Sequence, residues 1–476
     1  MKQGVIIVAI LLLFAIVVVA VFLTRDATIT TRAIVFDTVT QPVETVPEPT
    51  NSVNTVETTV VIPCQNELVT IGGPTKSSTI SPIGGQYRVW QSGTLQPFNV
   101  ELCYQGITPC FNQNPASPYL SPRWDVGSGR NQTPENIALG TFKLLRNQAV
   151  VLRGYTPPKC AYFGYTPYLF STPACGGTPV FATIADTTNL TFFGSDPFNK
   201  PFTLIYSADL TLGRTLSKQT GGIYVPIQVR DPNSVYEVVG RVAAFESAES
   251  QAAYLANPRT DVWIVSNPSI RQGPYQIEPV HFTPRSTDGV SEYVNPGEQA
   301  LLAMTSSVES TLTSLDAVNS WTRVAANLFR SEIKYDNGED CIRNCSPCYG
   351  DNRDTLYHVV DIPNFQSNDI VLIVSVNHNK YGLSTYTNLS VYDNDRQLGL
   401  DSVDVFNMVQ DWNLMIVAKK AFGLSAELEA MNPRIVILPS DVVNVSIAER
   451  AYLMPGHSVS AAPSMLLPMQ ARRGVF

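Results

Sequence analysis

Residues 160–170 read CAYFGYTPYLF, and this stretch decides the fold class. In an extended chain successive side chains alternate between two faces, so Tyr162 and Thr166 share one face. Phe163 and Tyr165 then share the opposite face. Such a run predicts a β-strand that is covered on both sides. The aromatic strip could hold sugars or a partner protein, but packing in a core explains it more simply.

Similar short apolar or alternating runs surround this stretch, separated by Gly, Pro and Asn turns. They predict an antiparallel, sandwich-like β-domain over residues 64–200. Residues 201–290 differ because strand-like runs alternate with two helical patterns, LTLGRTLSKQTG and AESQAAYLANP. That alternation predicts a small α/β lobe.

Residues 291–335 are predicted to form one long amphipathic helix packed on a sheet. Asn295 can cap it, Pro296 suits its first turn, and Glu298 completes a capping box. An apolar stripe then recurs near the helical period, at Leu301, Met304, Val308, Leu312, Leu315, Val318 and Leu328. A coiled-coil helix for self-association is the alternative, although sustained heptads are not visible.

Strand patterns return over residues 356–454, and residues 455–476 read as an irregular tail rich in Pro, Ser and Met. The predicted fold class is therefore α+β and β-rich, with the long helix and the small lobe as its helical parts.

The N-terminal segment is predicted to anchor the chain in a membrane. Residues 5–23 contain no polar side chain, and nineteen helical residues cover roughly the 30 Å core of a bilayer. Residues 1–4 would be a cytoplasmic overhang, and residues 24–63, rich in Thr, Pro and Val, an extended stalk. A cleaved signal peptide is the alternative, and both place the rest of the chain outside the cytosol.

Composition excludes some classes of function. The chain carries 32 basic and 40 acidic residues, a net charge of −8, and shows no extended Lys/Arg cluster. A nucleic-acid partner is therefore not expected. The G-x-S-x-G, H-E-x-x-H, P-loop and dinucleotide-binding signatures are also missing, so no cofactor or metal is predicted.

Eight cysteines fit an oxidising compartment. Spacing makes Cys103–Cys110 and Cys160–Cys175 plausible local disulfides. Cys64 is a further disulfide candidate, and because eight cysteines allow 105 pairings, the sequence does not fix the connectivity. Free, buried cysteines remain the alternative.

A cysteine-rich loop is predicted over residues 336–355, where Cys341, Cys345 and Cys348 form C-x3-C-x2-C. This spacing resembles that of an iron–sulfur cluster, and a zinc site with His358 is a further alternative. The late position and the missing βα units favour a disulfide-linked loop.

Five Asn-X-Ser/Thr sequons are candidates for glycosylation in a host that glycosylates exported proteins. They lie at Asn131, Asn189, Asn344, Asn388 and Asn444.

His378 is the strongest candidate for chemistry, because it follows the apolar run IVLIVSV and precedes a polar turn. It could act as a general base or as a ligand donor if other groups converge on it. Those groups would come from Tyr162, Tyr165, Asp186 and Asp354. The alternative is a turn histidine hydrogen-bonded to the backbone.

Six segments together resemble, in the same order, a poorly characterised family of exported or membrane-anchored proteins. They are CAYFGYTPYLF, VFATIADTTN, PFTLIYSAD, DTLYHVVDIP, VSVNHNKYGLSTYTNLSVYD and ERAYLMPG. The family occurs in bacteria and photosynthetic eukaryotes, with the large viruses of the latter as a further source to consider. The resemblance spans most of residues 85–470 and implies an exported location and a multi-lobed fold. It implies no activity, and it includes neither the stalk nor the cysteine-rich loop.

Two functions follow as hypotheses. The favoured one is a single-pass membrane protein whose extracytoplasmic head is a structural or binding component of a cell surface or virion envelope. Its partners would be the membrane and either another protein or further copies of itself. The alternative is an exported hydrolase or other enzyme with a site around His378, whose small-molecule ligand the sequence does not identify.

Overall fold

The computed structural model describes residues 87–98, 113–125, 140–228, 231–267, 282–314, 318, 320–328, 338–404 and 411–476. The predicted anchor (5–23) and stalk (24–63) lie outside these ranges, as do Cys64, Cys103, Cys110 and Asn131. Among the helices that the described residues form, none has both the length and the apolar composition needed to cross a bilayer.

Three β-sheets dominate the described residues, and the first of them contains eleven strands. Its central order is β6-β5-β10-β2-β1-β11-β4-β8-β9, while β3 pairs with β10 and β7 with β5. The strands of this first sheet are β1 (Arg88–Pro97), β2 (Tyr119–Trp124), β3 (Phe142–Lys143), β4 (Gln148–Tyr155), β5 (Cys160–Ser171), β6 (Pro179–Thr183), β7 (Thr188–Asn189), β8 (Pro201–Ser207), β9 (Ile223–Pro226), β10 (Val235–Phe245) and β11 (Thr260–Ser266).

The other two sheets have five strands each. The second sheet has the order β12 (Ser320–Val324), β21 (Gln470–Val475), β15 (Asp369–Val376), β18 (Trp412–Ala418) and β19 (Arg434–Ile437). The third sheet has the order β13 (Asn327–Leu328), β14 (Thr355–Ile362), β20 (Val445–Tyr452), β16 (Tyr386–Asp393) and β17 (Leu398–Asp404).

Five α-helices complete the described structure. They are α1 (Leu210–Thr220), α2 (Ala248–Ala256), α3 (Glu298–Ser314), α4 (Glu339–Asn344) and α5 (Ala426–Ala430). Two of them serve as crossovers: α1 joins the parallel pair β8 and β9, and α5 joins the parallel pair β18 and β19. The remaining pairs of neighbouring strands are antiparallel, which a β-rich α+β fold predicts.

The sheets form layers, because alternate side chains of a strand point to opposite faces of its sheet. Val371 and Ile373 of the second sheet pack with Leu389 and Ile447 of the third. On the opposite face of the second sheet, side chains such as Leu372 pack against α3.

The face of the third sheet that points away from the second sheet packs against the first sheet. Tyr386 and Tyr452 of the third sheet pack there with Tyr162 and Ala243 of the first. The predicted alternation in β5 is confirmed, since Phe163 lies in the separate core on the other side of the first sheet.

Several boundaries differ from the sequence prediction. Residues 64–200 and 201–290 do not form separate sheets, because β1–β7 and β8–β11 all belong to the first sheet. The sandwich instead forms between the second and third sheets. The tail, predicted to be irregular over 455–476, supplies β21, which pairs with β12 and β15.

The predicted long helix is shorter than expected. The α-helix covers Glu298–Ser314 and buries Leu301, Val308 and Leu312 as the stripe predicted. Asn295 has an extended backbone and lies three positions before the helix begins at Glu298, within the preceding segment Tyr293–Gly297, so it is not the residue next to the first helical turn. Beyond the helix the chain forms β12, whose Thr and Val residues favour a strand.

Candidate functional site

His378 lies two residues beyond β15, in a tight turn, and its side chain is completely buried. The backbone oxygen of His378 accepts a hydrogen bond from the amide of Leu383. The ring Nδ1 donates to Oε1 of Glu292 at 2.7 Å. On its other side, Nε2 lies 3.2 Å from Oε1 of Glu449, an ion-pair distance without the alignment of a hydrogen bond.

A second histidine extends this arrangement. Nδ1 of His358, on β14, lies 3.1 Å from Oε2 of Glu449 on the neighbouring strand β20. The four side chains form a buried row in the order Glu292, His378, Glu449, His358, which we call the histidine–glutamate cluster. All four are buried, and they join the segment before α3 to the second and third sheets.

Charge in this cluster is strongly stabilised. Burial alone would lower the pKa of His378, but the carboxylates of Glu292 and Glu449 raise it to about 10. Burial alone would raise the pKa of Glu449, but His378 and His358 lower it to about 2. His378 is therefore an imidazolium and Glu449 a carboxylate throughout the neutral range.

This charge state limits the chemistry open to His378. A general base must be deprotonated and within reach of a substrate proton. His378 is charged, and both ring nitrogens face glutamates within the interior. The cluster is suited to hold elements together, because removing one member would leave an uncompensated charge in the interior.

Asp354 forms a second buried polar centre, between the first and third sheets. Its Oδ2 accepts hydrogen bonds from the Tyr162 hydroxyl at 2.9 Å and from Nδ2 of Asn189 at 3.0 Å. The ring of Tyr162 packs on that of Tyr452, with centroids 4.5 Å apart. This centre therefore joins β5 and β7 of the first sheet to the loop that precedes β14.

Neighbouring residues of the same loop make equivalent contacts. Oδ1 of Asp351 accepts a hydrogen bond from the Thr183 amide at 2.8 Å. Oδ1 of Asn352 accepts one from the hydroxyl of Thr166 at 3.0 Å. The loop 350–354 thus docks on the first sheet through a backbone amide of β6 and through side chains of β5.

Burial also changes the acidity of these aspartates. It raises the pKa of Asp351 and of Asp354 to about 6 in each case, although hydrogen bonds and nearby arginines partly oppose it. A folded-state pKa above the unfolded value means that the folded chain binds the proton more tightly.

We therefore expect the free energy of unfolding to fall as pH rises from about 4 to about 6. The loss is on the order of 2 kcal/mol per carboxyl group, from about 1.4 kcal/mol per pKa unit. The substitution Asp354→Asn should remove the part of this slope that Asp354 contributes, because an amide does not titrate. Its oxygen can still accept both hydrogen bonds. Urea unfolding at pH 4.5 and pH 7 measures the effect, with the exposed Asp196→Asn as the control. An unchanged slope in Asp354→Asn would contradict the assignment.

The structure brings together only some of the predicted site residues. Tyr162 and Asp354 are in direct contact. Asp186 instead accepts hydrogen bonds from the amide and the hydroxyl of Thr283. Tyr165 lies on the opposite face of β5, where its ring packs on Phe202 at 5.1 Å.

The cysteine pattern is partly confirmed. The described residues contain two disulfides, Cys175–Cys345 and Cys341–Cys348. The predicted disulfide Cys160–Cys175 is wrong: Cys160 is a free thiol in the core, and burial raises its pKa to about 12. All three cysteines of C-x3-C-x2-C are oxidised, so the disulfide-linked loop is confirmed.

The charged residues that complete these centres were not predicted from the sequence. Glu449 and Arg450 lie in the middle of β20, and Arg241 lies in β10, a strand that the sequence analysis did not identify. The guanidinium of Arg241 donates to the Gly350 carbonyl at 3.0 Å and lies 4.9 Å from the ring centroid of Tyr119. A charged residue inside an apolar strand, as in VYEVVGRVAAF, was the signal that could have indicated them.

A surface pocket of about 260 Å³ lies elsewhere on the first sheet, beside α2. Its lining includes Tyr155, Pro158, Tyr254 and Arg259, and the Arg259 guanidinium lies 4.2 Å from the ring centroid of Tyr155. None of its lining residues belongs to the histidine–glutamate cluster.

No protein-family model and no curated protein sequence matches the chain. Several solved structures are distantly similar, among them the following two. One is a putative uncharacterized protein from Burkholderia cenocepacia, with 9% identity and a TM-score of 0.41 over 81% of this chain and 82% of that one. The other is from Vibrio parahaemolyticus, with 12% identity and a TM-score of 0.35 over 79% of this chain and 94% of that one. Both similarities are too distant to bear on fold or function.

Proposed function

We propose that the chain is a single-pass membrane-anchored protein whose β-rich head is a structural or binding component of a cell surface or virion envelope. The apolar segment 5–23 supports the anchor. The two disulfides support a location in an oxidising compartment outside the cytosol.

One surface feature carries the binding role. Val290, Tyr293 and Val294 are 59%, 48% and 76% exposed, the largest values among the large apolar side chains of the described residues. They lie within five consecutive positions, which we call the apolar tip. Clustered apolar side chains at a surface mark contact sites more often than scattered ones do.

The histidine–glutamate cluster fixes this tip. Glu292 lies between the exposed residues, yet its own side chain is completely buried. Its carboxylate contacts His378, and its Oε2 accepts a hydrogen bond from the Leu467 amide at 2.9 Å. Its backbone amide donates to the Met465 carbonyl. A tip held by a buried ion pair loses little conformational freedom on binding, which favours affinity.

The enzymatic alternative has weaker support. It needs His378 in a cleft with an acidic or hydroxyl group that can exchange protons. What weighs against it is the burial of His378 between two carboxylates and its pKa of about 10. A hydrolytic activity that is lost in His378→Gln, while the fold persists, would restore this alternative.

Location can be tested in cells that express the full chain. After fractionation, the head should remain with membranes and should be degraded by protease added on the extracytoplasmic side. Its cysteines at 175 and 345 should resist thiol-alkylating reagents until a reductant is added. A head that stays protected on the cytosolic side, with reduced cysteines, would refute the proposal.

Binding by the tip can be tested with the triple variant Val290→Ser, Tyr293→Ser and Val294→Ser. We expect self-association of the membrane-tethered chain, measured by chemical cross-linking, to fall while thermal stability stays unchanged. Exposed side chains contribute little to folding, whereas apolar anchors contribute much to binding.

The control is Phe192→Ser, because Phe192 is a similarly exposed apolar residue, 46% exposed, outside the tip. If cross-linking is equal in the triple variant and in the wild-type chain, the apolar tip is not the binding surface.

A further inference from the structure

Four of the five sequons lie in the part of the chain that the structure describes, and they differ sharply in access. Asn189 is fully buried, and its amide donates to Asp354 and to the Ser458 carbonyl. Asn388 is also fully buried, in β16, where its amide donates to Asn114. A glycan on either side chain is incompatible with the folded interior.

Asn444 is half-buried and held on both sides. Its Oδ1 accepts a hydrogen bond from the Asn364 amide, and its Nδ2 donates to Asp395 at 2.8 Å. A glycan there would replace the Nδ2 contact.

Asn344 differs because its side chain is exposed at the end of α4. The sequon reads Asn344-Cys345-Ser346, and its middle residue is bonded to Cys175. The Ser346 hydroxyl is buried without a hydrogen-bond partner among the described atoms. That hydroxyl is the feature that defines an acceptor sequon. The folded loop therefore tolerates a glycan on Asn344 but hides part of the acceptor sequence.

We propose that Asn344 is a site of N-linked glycosylation, and that closure of the Cys175–Cys345 disulfide limits its occupancy. The donor is a lipid-diphosphate-linked oligosaccharide of the secretory pathway. In the transfer, Nδ2 of Asn344 forms a bond to the sugar C1, and the C1–oxygen bond to the diphosphate breaks. Nδ2 loses one proton, and the lipid diphosphate leaves. This inference rests on the extracytoplasmic location proposed above.

The sequence of events follows from the structure. Before the disulfide forms, residues 344–346 can extend and expose the Ser346 hydroxyl to the transferase. Afterwards Cys345 is fixed in a left-handed conformation, with φ at 51°, and its amide donates to the Cys341 carbonyl. Transfer and disulfide closure therefore compete for the same segment.

The experiment expresses the full chain in eukaryotic secretory cells and measures each sequon by mass spectrometry after enzymatic glycan release in heavy-oxygen water. Among the four described sequons, we expect Asn344 to be occupied in folded protein. On a gel, the Asn344→Gln chain should migrate faster than the wild-type chain by the mass of one glycan. The Asn444→Gln chain should migrate like the wild-type chain. Cys175→Ala should raise occupancy at Asn344, and the matched control Cys160→Ala, which removes a free buried thiol, should leave it unchanged.

Three outcomes would contradict this inference, and they differ in what they imply for the proposed location. If the Cys175–Cys345 disulfide forms but Asn344 remains unmodified in both the wild-type chain and Cys175→Ala, the inference is overturned and the location stands. Equal glycan occupancy of Asn344 in the wild-type chain and in Cys175→Ala would show that glycan transfer and disulfide closure do not compete. If the cysteines remain reduced and no sequon is modified, the proposed location fails and this inference fails with it.

Discussion

Substitution of His378 by glutamine is expected to lower the free energy of unfolding by ~3–5 kcal/mol, the cost of breaking a buried ion pair by removing one partner. Glutamine nearly preserves the volume but removes the positive charge. Glu292 and Glu449 would then remain buried with no charge between them. Chemical denaturation at pH 7 measures this loss.

The control for this substitution is His457→Gln. His457 lies 3.3 Å from Asp288 at the surface, and exposed ion pairs contribute at most about 1 kcal/mol. Equal, small losses in both variants would show that the histidine–glutamate cluster does not support the fold.

The contribution of the histidine–glutamate cluster to the free energy of unfolding depends on pH. The raised pKa of His378 gives stability that is complete below about 6.5 and is lost as pH rises through about 10. The lowered pKa of Glu449 gives stability that is complete above about 4.5 and is lost as pH falls through about 2. The difference in stability between wild type and His378→Gln should therefore shrink towards pH 10.

Removal of the Cys175–Cys345 disulfide is expected to cost more than removal of Cys341–Cys348. The first closes a loop with a sequence separation of 170 residues, and the second a loop with a separation of 7. If the chain-entropy model holds, the longer loop adds about 3 kcal/mol to the stability difference. Double alanine variants of each pair, compared by urea unfolding, measure it.

These two double variants control for each other, because each removes two sulfur atoms from the same region of the chain. A larger loss for Cys341→Ala with Cys348→Ala would mean that local packing outweighs loop closure, since both of these cysteines are buried. That result would contradict the entropic explanation.

Local patterns predicted much of the secondary structure. Alternation in residues 160–170 correctly separated the two faces of β5, because the period of a strand is a property of the backbone. Helix α1 was also predicted from the sequence, together with a glycine after its end. That residue, Gly221, adopts the left-handed conformation that ends many helices, with φ at 68°. The β-rich class of the fold is therefore accessible from sequence.

Contacts between residues that are far apart in the sequence could not be predicted in this way. Glu292 lies 86 positions before His378, and nothing in either segment identifies the other as its partner. Strand β10 was missed because Glu237 and Arg241 interrupt its apolar run, although both are buried. Cys345 was likewise assigned to a local loop, while its partner Cys175 lies 170 positions earlier, in the turn between β5 and β6.

The position of β21 has a consequence for synthesis of the chain. All strands of the first sheet come from residues 88–266, so this sheet can assemble while later segments are still being translated. The second sheet cannot, because β21 is inserted between β12 and β15 and emerges from the ribosome after both. Until then two open strand edges are exposed to other chains. Completion of the second sheet therefore waits until residues 470–475 have been synthesised.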